Sequence, residues 1–90
     1  MRIMKPVVIY TTDSCPYCRR AEHFLETKGI PFEQIDVTGN DEMRIKLVDM
    51  SGGRRTVPQI FIGGEAIGGY TDLIALEQQG KLAPMLNPPA

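Results

Sequence analysis

Cys15 and Cys18 are the only two cysteines of the 90-residue chain, and two residues separate them: Cys15-Pro16-Tyr17-Cys18. Two thiols at C-x-x-C spacing, on the turn from a strand into a helix, can make and break a disulfide within one helical turn. The spacing therefore predicts thiol–disulfide exchange. At a helix N-terminus the unpaired backbone N–H groups and the positive end of the dipole favour a thiolate over a thiol. Cysteines so placed titrate at roughly 3.5–7.5, against ~8.5 when free. The thiolate is the attacking species, so Cys15 is the expected nucleophile. Cys18, one turn further along and more shielded, is suited to resolving a mixed disulfide formed on Cys15.

Other uses of the pair are weaker. A structural disulfide here closes so small a loop that it removes little chain entropy. Structural zinc usually takes four ligands, and His23 is the only histidine. Its place on the solvent side of the first helix makes it a surface residue rather than a ligand or base. A metal or iron–sulfur cluster bridged between two chains stays open, because two copies supply four ligands.

The elements that must hold these cysteines are legible from periodicity. Val7 to Thr11 is a β-branched run expected to form a buried strand. Pro16 suits the first turn of a helix and Ser14 its N-cap. That helix is expected from about Pro16 to Lys28, stopped by Gly29. Ala21, Phe24 and Leu25 face inward, while Arg19, Arg20, Glu22, His23 and Glu26 face water. Phe32 to Val37 is a second strand. Asp41 to Met50 is a second helix, with Met43, Leu47 and Met50 on one side and acidic residues suiting its first turn. Val57 to Ile62, Gly63-Gly64 and Glu65 to Ile67 read as a β-hairpin. A third helix is expected from Thr71 to Gln79, Leu82 to Leu86 as an added turn, and Asn87 to Ala90 as a frayed tail. The order is β-α-β-α-β-β-α, a mixed four-stranded sheet with helices on both faces and a right-handed first crossover.

Ninety residues make one domain, residues 1–90. The net charge of −1 points to neither nucleic acid nor a membrane surface as a general partner. No apolar run approaches the ~20 residues of a spanning helix, and the basic start, Met1 to Lys5, lacks the apolar stretch of a secretory signal. A cytoplasmic protein is the expectation, and in that compartment C-x-x-C is more often redox-active or metal-binding than structural.

Three further positions each carry two readings. Pro58 in an apolar strand pattern marks a strand entry, or a cis-proline presenting the Val57 backbone to a bound chain. Gly68-Gly69 is a plain turn, or lets backbone approach a carboxylate at the start of helix three. Tyr17 is exposed in the cysteine turn, where it either stacks on substrate or covers the Cys15 sulfur. Arg55 reads as a solvated charge.

Ile9-Tyr10-Thr11, Cys15-Pro16-Tyr17-Cys18, Thr56-Val57-Pro58-Gln59-Ile60-Phe61-Ile62 and Gly68-Gly69-x-x-Asp72-Leu73 together resemble the dithiol glutaredoxins. The resemblance covers about residues 6–86 and is closest to the small bacterial type. It implies a thioredoxin fold, an α/β arrangement of four strands flanked by three helices. It also implies reduction of glutathione mixed disulfides and protein disulfides, with glutathione as reductant and co-substrate and no metal. The partners it implies are glutathione and glutathionylated or disulfide-containing proteins, met by a monomer. By the family's pattern, glutathione lies across Tyr17, Val57 beside cis-Pro58, and the start of helix three. Its cysteine pairs with the Val57 backbone. Its γ-glutamyl carboxylate meets Gly69, Tyr70 and Thr71, with Asp72 near its amino group, and Arg54 and Thr56 lie near its glycyl carboxylate. Many members carry a lysine where this chain has Thr12, which leaves Arg54, the helix dipole and Arg19 to support the thiolate and the carboxylate. Tyr70 stands where some members have a third cysteine.

Two rivals remain at this stage. A thioredoxin-like carrier reduced by a flavoprotein reductase fits the C-x-x-C. Against it stand the absence of tryptophan and Pro-Tyr, rather than Gly-Pro, between the cysteines. A cluster-holding dimer is disfavoured by Pro16 and Tyr17, which crowd the space beside Cys15.

Overall fold

The computed structural model describes residues 4–87. The elements are β1 (Val7–Thr11), α1 (Pro16–Thr27), β2 (Glu33–Asp36), α2 (Asp41–Met50), β3 (Gln59–Ile62), β4 (Glu65–Gly68), α3 (Tyr70–Gln78) and α4 (Leu82–Leu86). The sheet order is β2-β1-β3-β4, with β1 parallel to β2 and antiparallel to β3, and β3 antiparallel to β4. This is the mixed four-stranded sheet expected from the sequence, in thioredoxin-fold order. The turn expected after helix three is a short helix of its own, α4. Pro88 to Ala90 of the expected tail, and Met1 to Ile3 of the basic start, lie outside the described residues. Asn87 caps α4, its N–H bonded to the Ala83 carbonyl.

The two central strands explain the burial. All four residues of β3 are buried, and β1 alternates between full and partial burial. Edge strands β2 and β4 are mostly exposed or half-buried. Two apolar layers result. On one face Val7, Ile9, Ile60 and Ile62 pack with Ala21 and Leu25 of α1, Leu73 of α3 and Leu82 and Leu86 of α4. On the other, Val37 and Phe61 pack with Leu47 of α2. Helices thus cover both faces.

Several boundaries move. Gly29, at φ 70°, ends α1 after its Lys28 cap. The hairpin turns on Gly63 and Gly64, at φ 58° and 85°, which is the left-handed backbone a two-residue turn requires. Val57 and Pro58 lie before β3 rather than in it. Met50 does not join the buried side of α2: it is the last residue of the helix and is exposed. Phe24 is only partly buried, at the rim of the α1 layer. Glu22 does not face water; its side chain is 13% exposed and paired with Arg19 at 2.9 Å.

Candidate active site

β1 delivers the chain to the start of α1 at one end of the sheet. The expected Ser14 cap is not used; the Ser14 hydroxyl turns to Asp13. Cys15 itself is the N-cap, and its Sγ accepts the Cys18 backbone N–H at 3.1 Å. The nucleophile is therefore also the group that satisfies a free helix donor. Pro16 follows in the first turn, where its missing N–H leaves no bond unmade.

Both cysteines are free thiols. Cys15 is half-buried and Cys18 is fully buried. Burial first, then its hydrogen bond to Cys15 and, less, the Cys15 charge push the Cys18 thiol up from 9.0 to about 12; the Thr12 backbone and, less, Arg19 pull the other way. The folded protein thus holds the Cys18 proton more tightly than an unfolded chain does. Its stabilising effect is complete below about 9 and fades as the pH rises from there to about 12. Relative to Cys18→Ser, the reduced protein should lose about 2 kcal/mol of stability between pH 8 and about pH 10.5, at about 1.4 kcal/mol per unit above 9. Denaturant melts of the two proteins across that range check this. A constant difference would exclude a buried neutral thiol.

Opposite Cys15 lies the loop before β3. The Val57–Pro58 bond is cis, and the Cys15 thiol lies 3.7 Å from the Val57 carbonyl. Tyr17 and Val57, flanking the sulfur, open a groove of about 300 Å³ that Arg54, Thr56, Pro58, Tyr70 and Thr71 also line. The ring of Tyr17 is half exposed, stands 6.0 Å from Tyr70 and carries Arg20 at 5.2 Å on its face. It is free to meet a bound chain and does not lie on a core. The groove gathers the sequence-predicted residues from three separate segments.

The far end of the groove is charged. Gly69 caps α3, and its N–H donates to Asp72 Oδ2 at 2.9 Å. Arg54 Nη1 reaches the same carboxylate at 3.4 Å. A Cβ on Gly69 would run into the Arg54 guanidinium and lie 3.3 Å from the Pro58 carbonyl, so this glycine leaves room for the arginine. Arg54 Nε is buried without an acceptor. A buried donor left open beside a helix N-terminus suits an incoming carboxylate. Arg19 turns back on the turn preceding the cysteines, with its Nη2 donating to the Thr12 carbonyl at 3.2 Å. It places positive charge beside Thr12.

Some roles escaped the sequence. Ser51 reads as a helix stop and Gln59 as one residue of a strand, yet both bond to the Arg54 backbone. The available signal was Gln59, a polar residue inside an apolar run. His23 is exposed, near Thr27, and touches neither cysteine. Among the described residues no three His, Cys, Asp or Glu side chains cluster as a metal site, and no helix is long and apolar enough to cross a membrane.

A reduced dithiol at a helix start, facing a cis-proline loop on this sheet, defines a thiol–disulfide oxidoreductase of the thioredoxin fold. The glutaredoxin family model matches residues 7–67. A glutaredoxin of Pseudomonas aeruginosa is 50% identical over 84 residues, 93% of this chain and 99% of that protein. Glutaredoxin 3 of Escherichia coli is 47% identical over 93% of this chain and 100% of its own length. Among solved structures, Brucella melitensis glutaredoxin matches with a TM-score of 0.82 at 47% identity, covering 94% of this chain and 91% of that one. A buckwheat glutaredoxin–glutathione complex matches with a TM-score of 0.84 at 33% identity, covering 91% and 76%. The chain belongs to the glutaredoxin family and is a glutathione-dependent thiol–disulfide oxidoreductase with a dithiol centre.

Proposed function

We propose that this protein reduces glutathione mixed disulfides and some protein disulfides in the cytoplasm, as a monomer, with Cys15 as nucleophile and Cys18 as resolving thiol. The observation that carries this is the Cys15 sulfur, held at the α1 start by the Cys18 N–H and facing the Val57 carbonyl at the mouth of the groove. In the monothiol route the Cys15 thiolate attacks the glutathione sulfur of a mixed disulfide. A Cys15–glutathione disulfide forms, and the substrate leaves as its thiolate. A second glutathione thiolate attacks the bound glutathione sulfur, giving glutathione disulfide and regenerating Cys15. In the dithiol route Cys15 opens a protein disulfide, and Cys18 then attacks the Cys15 sulfur, expelling the second substrate thiolate and transferring its own proton. The resulting Cys15–Cys18 disulfide returns to the dithiol through two glutathiones. Once Cys15 is in a mixed disulfide, two of the influences that raise Cys18, its hydrogen bond to Cys15 and the Cys15 charge, are gone. Cys18 is thereby readier to ionise at the step that needs it.

Glutathione is accommodated by the main chain before β3 and by the paired charges of Arg54 and Asp72 at the α3 start. The Val57 main chain pairs with its cysteine, the α3 start at Gly69, Tyr70 and Thr71 receives the γ-glutamyl carboxylate, and Asp72 its ammonium. Arg54 and Thr56 take the glycyl carboxylate, and Tyr17 flanks the disulfide. The buried open donor on Arg54 Nε supports this assignment. The deciding experiment offers the oxidised protein two reductants, glutathione with glutathione reductase, and thioredoxin reductase. Reduction by glutathione and none by the flavoprotein is the expected result; the reverse would make the protein a thioredoxin-like carrier.

A further inference from the structure

Gln59 is a polar side chain at a position built for an apolar one. Its strand is buried throughout, and Gln59 is 3% exposed. Nε2 donates to the Arg54 carbonyl at 2.9 Å, while Oε1 has no partner. A buried amide with one end unsatisfied costs stability relative to an apolar side chain of the same shape. The bond it makes is also not needed to satisfy Arg54. The Ser51 hydroxyl, 3.2 Å from the Arg54 carbonyl and 3.3 Å from that of Val48, can serve the same acceptor, and its oxygen takes the Arg54 N–H at 3.0 Å. Stability alone does not account for glutamine here. Side chains that break a local rule in this way gather where function demands them.

What Gln59 does hold is the main chain of residue 54, from within the central sheet and at the start of a fully buried strand. From that point the Arg54 side chain runs to Gly69 and Asp72, with its Nε buried and without an acceptor. We infer that Gln59 is a positioning residue for Arg54: its amide fixes the residue-54 backbone, so that the guanidinium is already aimed at the groove when a carboxylate arrives. This inference rests on the reading in which Arg54 receives a carboxylate of glutathione. Preorganising a binding group in this way acts on substrate affinity and leaves the reacting sulfur untouched.

The test uses Gln59→Met, an unbranched side chain of the same length, with Gln59→Leu as a second variant, Arg54→Met, and the Arg54→Met/Gln59→Met double variant. KM and kcat are measured on a glutathionylated peptide, together with thermal midpoints and the rate of Cys15 carbamidomethylation. Each Gln59 variant should raise KM about 3- to 10-fold, the effect of losing one hydrogen bond. Their kcat, alkylation rate and thermal midpoint should match or exceed the parent's. In the double variant KM should equal that of Arg54→Met, because Gln59 acts only through Arg54. If Arg54→Met raises KM and neither Gln59 variant does, the positioning role fails and the carboxylate reading stands. An unchanged KM in Arg54→Met overturns that reading and the inference with it. Gln59 effects that multiply those of Arg54→Met, or that follow a fallen thermal midpoint, reduce Gln59 to a structural residue and overturn the inference.

Discussion

Replacing Cys15 by serine is expected to lower reduction of both glutathionylated and protein disulfides by at least about a thousandfold, because the attacking species is removed. A serine hydroxyl stays protonated at neutral pH, and no general base is placed to help it: the only histidine, His23, is exposed and hydrogen-bonded near Thr27. The substitution should leave the fold standing, since a serine oxygen can still accept the Cys18 N–H at the α1 cap, as serines commonly do. Loss of activity with an unchanged thermal midpoint therefore isolates the chemistry. Activity of Cys15→Ser on a glutathionylated peptide within tenfold of the parent would sink the assignment of the nucleophile.

The second large effect divides the two routes. Cys18→Ser should keep deglutathionylation within about threefold, because that cycle passes through Cys15 and two glutathiones only. Reduction of a protein disulfide should fall at least about tenfold, since an intramolecular thiol one helical turn away is replaced by glutathione from solution. The mixed disulfide between Cys15 and the substrate should then accumulate and be visible on a non-reducing gel. Equal loss of both activities would mean that Cys18 supports the fold or the Cys15 site rather than resolving a disulfide. The burial of Cys18 makes that control necessary: the Cys18 N–H bond to Cys15 survives the change, but its packed thiol does not.

Much of the scaffold was readable because it rests on local rules. The β-branched run at Val7 to Thr11, Pro16 in a first turn, Gly29 after a helix and Gly63-Gly64 between strands each act within a few residues. The errors lie where burial is decided by distant parts. Met50 shares its helix side with Leu47, yet only Leu47 lies over Val37 and Phe61. Glu22 looks like a solvent residue in a helix, yet its pairing with Arg19 draws it in. Ser14 has the better cap chemistry by type, but the turn places Cys15 there, and its sulfur takes the bond.

The sequence by itself determined the chemistry: two cysteines at a helix start, in a fixed order of roles, with a family pattern around them. Types and spacing suffice for that, because a C-x-x-C pair and a helix N-terminus are features of one short segment. Only the tertiary structure decided the groove. Tyr17, Arg54, Val57, Gly69 and Asp72 come from three segments that meet because β3 lies beside β1 and α3 packs on the same face. The bonds from Gln59 and Ser51 to the Arg54 backbone, and the open Arg54 Nε, exist only once those segments are packed. Hydrogen bonds between distant residues leave no periodicity in a sequence, and no reading of residue types along the chain could have placed them.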